Sequence, residues 1–169
     1  MDLIISPAAN GYQATYGGKT WRCAVGRGGL ASNKREGDGT SPIGSWPIRQ
    51  IFYRADRLDK APSKAFTCMP IDRQDGWCDA PEHPDYNRSV RLPFAASHEE
   101  MWRDDHLYDV VVVLGHNDDP VVPGAGSAVF LHVARPEYSP TAGCAALSEK
   151  DLLEFLVLAG PDTRLCFRR

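Results

Sequence analysis

Residues 128–147 read Ala-Val-Phe-Leu-His-Val-Ala-Arg-Pro-Glu-Tyr-Ser-Pro-Thr-Ala-Gly-Cys-Ala-Ala-Leu. The apolar run Ala128–Val133 predicts a buried strand, and it carries His132 near its end. Cys144 follows Gly143 twelve residues later, and a helix start follows at Ser148. A chain written this way sets a thiol and a base side by side at the edge of a sheet. A thiol attacks only as thiolate, so it needs a base or a positive field nearby. His132 could supply the base, and a thiolate–imidazolium pair would hold both charges. Gly143 has no side chain, so the N–H groups of Gly143 and Cys144 could reach a tetrahedral oxyanion. A helix beginning at Ser148 would turn its positive end back toward Cys144. Cys144 is thus a candidate nucleophile for acyl transfer. The plain alternative is a buried small hydrophobe beside a half-buried histidine.

Outward from this segment, thirteen prolines and fifteen glycines cut the chain into short pieces. Strand-like runs fall at Leu3–Ile5, Tyr12–Tyr16, Thr20–Val25, Trp46–Gln50, Phe66–Pro70, Val110–Leu114, Ala128–Val133 and Arg164–Arg168. Gly17–Gly18–Lys19 suits a hairpin loop between the second and third. Ser97-His-Glu-Glu has capping-box spacing and predicts a helix to about Asp104. Ser148 caps a stronger helix, with Leu152, Leu153, Phe155, Leu156 and Ala159 as its apolar face and Gly160–Pro161 as its stop. Leu147 and Leu152 could staple its entry. The expected fold is mainly β, a sandwich or barrel-like core with one or two helices at one end. Arg54–His106 reads as a long irregular insertion, of the kind that serves as a functional loop or lid.

The 169 residues suit one domain, residues 1–169, with a real core. Hydrophobic residues at 43% and charged residues at 24% are ordinary for a soluble globular protein. The net charge of −3, with no basic block, argues against nucleic acid or an anionic membrane as the partner. The apolar stretches are too short to span a bilayer. Met1–Asp2–Leu3–Ile4–Ile5–Ser6–Pro7 lacks the basic start and apolar length of a secretory signal. Five cysteines without regular spacing read as free thiols. These features give the expectation of a cytoplasmic location.

His132 followed by Thr141–Ala142–Gly143–Cys144 resembles the catalytic domain of the L,D-transpeptidases, the YkuD-like family. That family's pattern is a histidine on a strand, a variable loop, then Ser/Thr–His–Gly–Cys. Upstream, Lys34–Arg35–Glu36–Gly37–Asp38–Gly39–Thr40–Ser41–Pro42–Ile43–Gly44 is similar to the family's GDxxTPxG turn. The resemblance runs from roughly Leu3 to Leu165, and Arg54–His106 looks like an insertion carried by a subgroup. It implies a mostly β fold with Cys144 as nucleophile and His132 as base. It implies attack on the L,D bond after the L-centre of meso-diaminopimelate in a peptidoglycan tetrapeptide. D-Ala would leave and a thioester form. An amine acceptor would then give a crosslink or D-amino-acid exchange, and water would give hydrolysis. No metal or organic cofactor is implied, and carbapenem-type β-lactams would be expected to acylate the thiol. Three features depart from the pattern. Ala142 replaces the usual histidine, Ala146 a basic or amide residue, and the loop between His132 and Cys144 is short.

Small recycled muropeptides are the substrates available inside a cell, so the preferred expectation is an L,D-carboxypeptidase using water. Alternatives are a true transpeptidase of cell-wall synthesis, or an inactive relative that binds peptidoglycan fragments, which Ala142 and Ala146 would favour. A structural domain with an inert Cys144 is a further alternative. The sequence leaves the oligomeric state open. Arg135 could clamp a terminal carboxylate through two N–H donors, and Thr141 could bond near the thiol. Tyr86 and Asn87, with Trp77, could line the cleft. His116–Asn117–Asp118–Asp119 could touch substrate or gather a metal, although a capped turn before Pro120 accounts for the same residues. Gly37–Pro42 lacks the Gly-Lys-Ser/Thr of a phosphate loop and reads as a tight turn; the family resemblance implies that it braces the catalytic sheet.

Overall fold

A computed structural model describes residues 1–169. β1 (Leu3–Ala8) pairs antiparallel with β2 (Gly11–Tyr16), which turns through Gly17–Gly18 into β3 (Lys19–Cys23) with Tyr16 opposite Lys19. Both turn glycines have positive φ, 57° and 81°. That is the two-residue hairpin geometry a side chain would strain. β4 (Leu30–Ala31) and β5 (Ser41–Pro42) form a short parallel pair. Next come β6 (Gly44–Tyr53), β7 (Cys68–Pro70), β8 (Asp75–Cys78), β9 (Ser89–Arg91), β10 (His98–Glu100), β11 (Val110–Leu114) and β12 (Phe130–Val133). β13 (Ala145–Leu147), α1 (Glu149–Leu158) and β14 (Arg164–Phe167) complete the chain.

The main sheet runs β13-β12-β11-β6-β14-β1-β2-β3, with β7 beside β6. Ala24, just beyond β3, exchanges two backbone hydrogen bonds of 2.9 Å with Ala146 in β13. The two ends of the sheet therefore meet, and the sheet is a nearly closed barrel. Its interior holds Leu3, Ile5, Val110, Val112, Leu131, Val133 and Leu147, with Leu152, Phe155 and Leu156 of α1 packed among them. Outside β11 and β12 lies a second core of Phe52, Trp77, Met101, Tyr108, Val111, Val113, Phe130 and Cys144. β11 and β12 are thus buried on both faces, which is why their sequences run apolar without alternation.

All eight expected strands are present, and the helix at Ser148 is as read. The Ser148 hydroxyl accepts the Asp151 N–H at 3.2 Å, and the helix ends at Ala159. Two expectations fail. No helix follows Ser97; His98–Glu100 is strand β10, paired with Cys78, Trp77 and Gly76 of β8. The pairing partners and the buried Met101 outweigh a local capping signal that has too few apolar positions behind it. Nor is Arg54–His106 simply irregular, because it contains the small sheet β10-β8-β9. That sheet is laid over the outer core and walls the region above His132. No helix of the chain is long and apolar enough to cross a membrane.

Candidate active site

β12 and β13 are parallel neighbours, with Leu131 opposite Ala145 and His132 opposite Ala146. Side chains two apart share a face. His132 and Ala146 therefore point the same way as Phe130 and Cys144, away from the barrel interior. Strand spacing and rise put the Cα atoms of His132 and Cys144 about 8 Å apart on the diagonal. Both side chains line one cleft of about 750 Å³ with Glu99, Tyr108, Arg135 and Thr141. The twelve-residue separation lets the chain loop out from β12 and return alongside it in the same direction.

The sulfur is seated on the backbone at the start of β12. The Phe130 N–H donates to Cys144 Sγ at 3.4 Å, and the thiol donates to the Ala128 carbonyl at 3.2 Å. Cys144 is only 8% exposed. Burial pushes its thiol up to about 12, with the negative charge of Glu99 adding to the rise; the Phe130 N–H and the Lys34 ammonium work the other way. His132 Nδ1–H donates to the Val133 carbonyl at 2.9 Å, which leaves Nε2 as the free lone pair. Burial pushes this imidazole down to about 4; the Val133 bond opposes the fall, and Arg103 and Arg135 reinforce it. Tyr108 packs edge-on against the ring at 5.5 Å. Burial thus favours the neutral thiol and the neutral imidazole in the free protein, and no hydrogen bond joins the two side chains.

The expected oxyanion donors divide. The Gly143 N–H is given to Thr141 Oγ1 at 3.1 Å, whereas the Cys144 N–H has no acceptor within the protein. Thr141 Oγ1 in turn donates to the Cys144 carbonyl at 2.7 Å, so this hydroxyl braces the turn before the thiol. Nor does the helix add its field as expected. β13 separates Cys144 from Ser148, placing the α1 N-terminus about 13 Å along the strand. A helix dipole acts over its end turn, well short of that distance.

Arg135 lines the cleft, exposed and without an ion-pair partner. Tyr86, Asn87, His116 and Asn117 do not line it, and their polar groups are turned into the protein. Tyr86 is buried and donates to Glu36 at 2.5 Å. Asn117 closes its own loop through Val122 and Gly126. His116 stacks edge-on against Trp46 at 4.7 Å. Asn87 accepts from the Trp77 indole at 3.1 Å and the Ala128 N–H at 3.0 Å, and donates to the carbonyls of His116 and Asn117. Ala128 has a φ of 51°, a left-handed conformation that costs a side-chain-bearing residue energy. Asn87 holds this strained residue, whose carbonyl receives the thiol proton. It is a positioning residue one step behind the sulfur.

Sequence reasoning missed several residues at the site. Ser41 is fully buried; its hydroxyl accepts the Gly26 N–H at 3.0 Å and donates to the Gly143 carbonyl at 2.7 Å. The Gly37–Pro42 turn does brace the site as expected. Asp38 gathers the Arg35 and Thr40 N–H groups and the Lys34 ammonium, all within 2.8 Å. Lys34 is packed so closely that a Cβ on Gly143 would lie 3.3 Å from its Nζ and 2.9 Å from the Thr40 carbonyl. Only glycine fits there, with its φ of 146°. Glu99 joined the cleft without any sequence signal, since only the β8–β10 pairing brings it there, and Tyr108 reaches it from just before β11, beside His132.

The family model YkuD, the L,D-transpeptidase catalytic domain, matches residues 3–165. The chain belongs to the L,D-transpeptidase family. No curated protein sequence matches it. As an L,D-transpeptidase-family enzyme it acts on peptidoglycan, and His132 and Cys144 line one cleft of it.

Two outcomes follow for this L,D-transpeptidase-family protein. Alkylation of Cys144, read by mass mapping in the free protein, should keep rising about tenfold per pH unit from pH 7 to 10. A plateau below the ordinary thiol pKa of about 8.5 would instead reveal an ion pair. Asn87→Ala should lower unfolding stability by at least about 2 kcal/mol in a urea titration, because several buried partners lose their bonds at about 1–3 kcal/mol each.

Proposed function

We propose that the protein is a cysteine L,D-carboxypeptidase that removes D-Ala from peptidoglycan tetrapeptides. The observation that carries this is a thiol and an imidazole with a free Nε2 in one cleft of an L,D-transpeptidase-family chain. Cys144 is the nucleophile and His132 the base. As the sulfur attacks the carbonyl carbon of meso-diaminopimelate, His132 Nε2 takes the thiol proton. The Phe130 N–H steadies the forming thiolate, and the unpartnered Cys144 N–H is available to the oxyanion. Collapse breaks the C–N bond, and His132 returns the proton to the departing D-Ala amine. Water then attacks the thioester, giving its proton to His132, and the tripeptide leaves as the thiol is restored. Arg135, exposed at the cleft with no internal anion, suits the terminal carboxylate of D-Ala.

Water as acceptor fits a cleft sized for one short peptide, and a recycled muropeptide is such a substrate. Muropeptide recycling in the cytoplasm is the setting we propose for it. One observation favours the second reading, transfer to an amine. A hollow of about 470 Å³ lined by Tyr12, Arg22, Arg27 and Tyr138 shares Pro140 with the cleft, so an acceptor strand could lie there.

Incubation with free and disaccharide-linked tetrapeptide separates the two. Hydrolysis predicts tripeptide plus D-Ala, with turnover reduced more than about 1,000-fold in Cys144→Ala. A crosslinked or D-amino-acid-exchanged product without tripeptide would reject water as the acceptor.

A further inference from the structure

The acyl transfer described above leaves one half-buried charge of the cleft unused. Glu99 projects from β10 into the cleft, and its Oε2 accepts the Tyr108 hydroxyl at 2.6 Å. It belongs to none of the protein's ion pairs. Burial raises its pKa most; the Tyr108 bond and Arg103 oppose the rise, and Asp79 and Glu36 add to it. Arg103 cannot serve as its ion-pair partner, because that guanidinium is held by Asp105 through bonds of 2.8 and 2.7 Å. Asp79, just beyond β8, has a buried Oδ1 with no partner, which deepens the negative field at this wall. Glu100 and Asp104 also line the cleft but are exposed, so water screens them.

A half-buried carboxylate fixed by a phenol, with no cation of its own, carries a cost in the free protein. A cation entering the cleft would offset that cost. We propose that Glu99 is a specificity residue that receives an ammonium group of the donor peptide. The inference rests on the acyl-transfer reading. The side chain of diaminopimelate carries a free amine beyond the centre under attack, and that ammonium is the group Glu99 takes. Burial raises the Cys144 thiol most and the Glu99 charge adds to it, so an ammonium on Glu99 would also ease ionisation of the sulfur. Tyr108 fixes the carboxylate and packs on His132, so the recognition group and the base share one support.

The test compares two donors, a tetrapeptide with the free diaminopimelate amine and the same peptide with that amine acetylated. D-Ala release is measured for wild type and Glu99→Gln. Wild type should prefer the free amine by about 30-fold or more in kcat/KM, mainly through KM, and Glu99→Gln should lose most of that preference. In the free protein, Glu99→Gln should also move Cys144 alkylation about one unit lower in pH. Equal use of both donors by wild type would overturn the inference without any variant, as would a Glu99→Gln enzyme that keeps the preference. If neither donor releases D-Ala from wild type, the acyl-transfer reading falls, and this inference with it.

Discussion

The parallel pairing of β12 with β13 is the constraint on which the site depends. It sets His132 beside Ala146 and brings Cys144 to the backbone of Phe130, on the face turned away from the barrel interior. Everything else holds that pairing in place. Ala24 closes the barrel against the other edge of β13, and α1 fills the interior beneath it. Ser41 ties Gly143 to the turn at Gly26, and Asn87 holds Ala128 in its left-handed conformation. The sulfur thus sits against main chain that cannot easily yield, with a donor on one side and an acceptor on the other.

Burial then decides the charge state. The same enclosure that fixes the pair favours neutral forms of both groups, raising the thiol and lowering the imidazole. A neutral resting site is compatible with transfer if the proton moves during attack, because His132 keeps Nε2 free by donating from Nδ1. It also makes reactivity depend on what enters the cleft, and the Glu99–Tyr108 pair is where an entering cation would be felt. Ala142 and Ala146 line the cleft without adding a polar group. Recognition would then fall to Arg135 on the return loop and Glu99 on the added sheet.

Much of this was legible in the sequence. Val110–Leu114 and Ala128–Val133 are continuous apolar runs because both faces of β11 and β12 are covered. Ser148 and the leucines after it marked a helix whose cap and buried face are local properties. That Cys144 and His132 line one cleft was visible through their spacing and the family pattern. What escaped reading was non-local. β8, β9 and β10 are short and lack strong alternation, so only their mutual pairing defines them. Ser97 offered a helix cap that tertiary pairing overrode. Asn87 and Tyr86 looked like cleft residues, yet they face inward, since their bonds go to loops some 30–40 residues away in sequence. A residue's type showed that it must find a partner, but not which one.

In the mechanism we propose, the Cys144 sulfur carries the acyl group. Acid quenching within a single turnover on a tetrapeptide, followed by mass mapping, reads this directly. A tripeptidyl mass should appear on the peptide containing Cys144 as D-Ala is released and decay as tripeptide forms. D-Ala release at the full rate with no adduct on that sulfur, or with the acyl group on another residue, would contradict it.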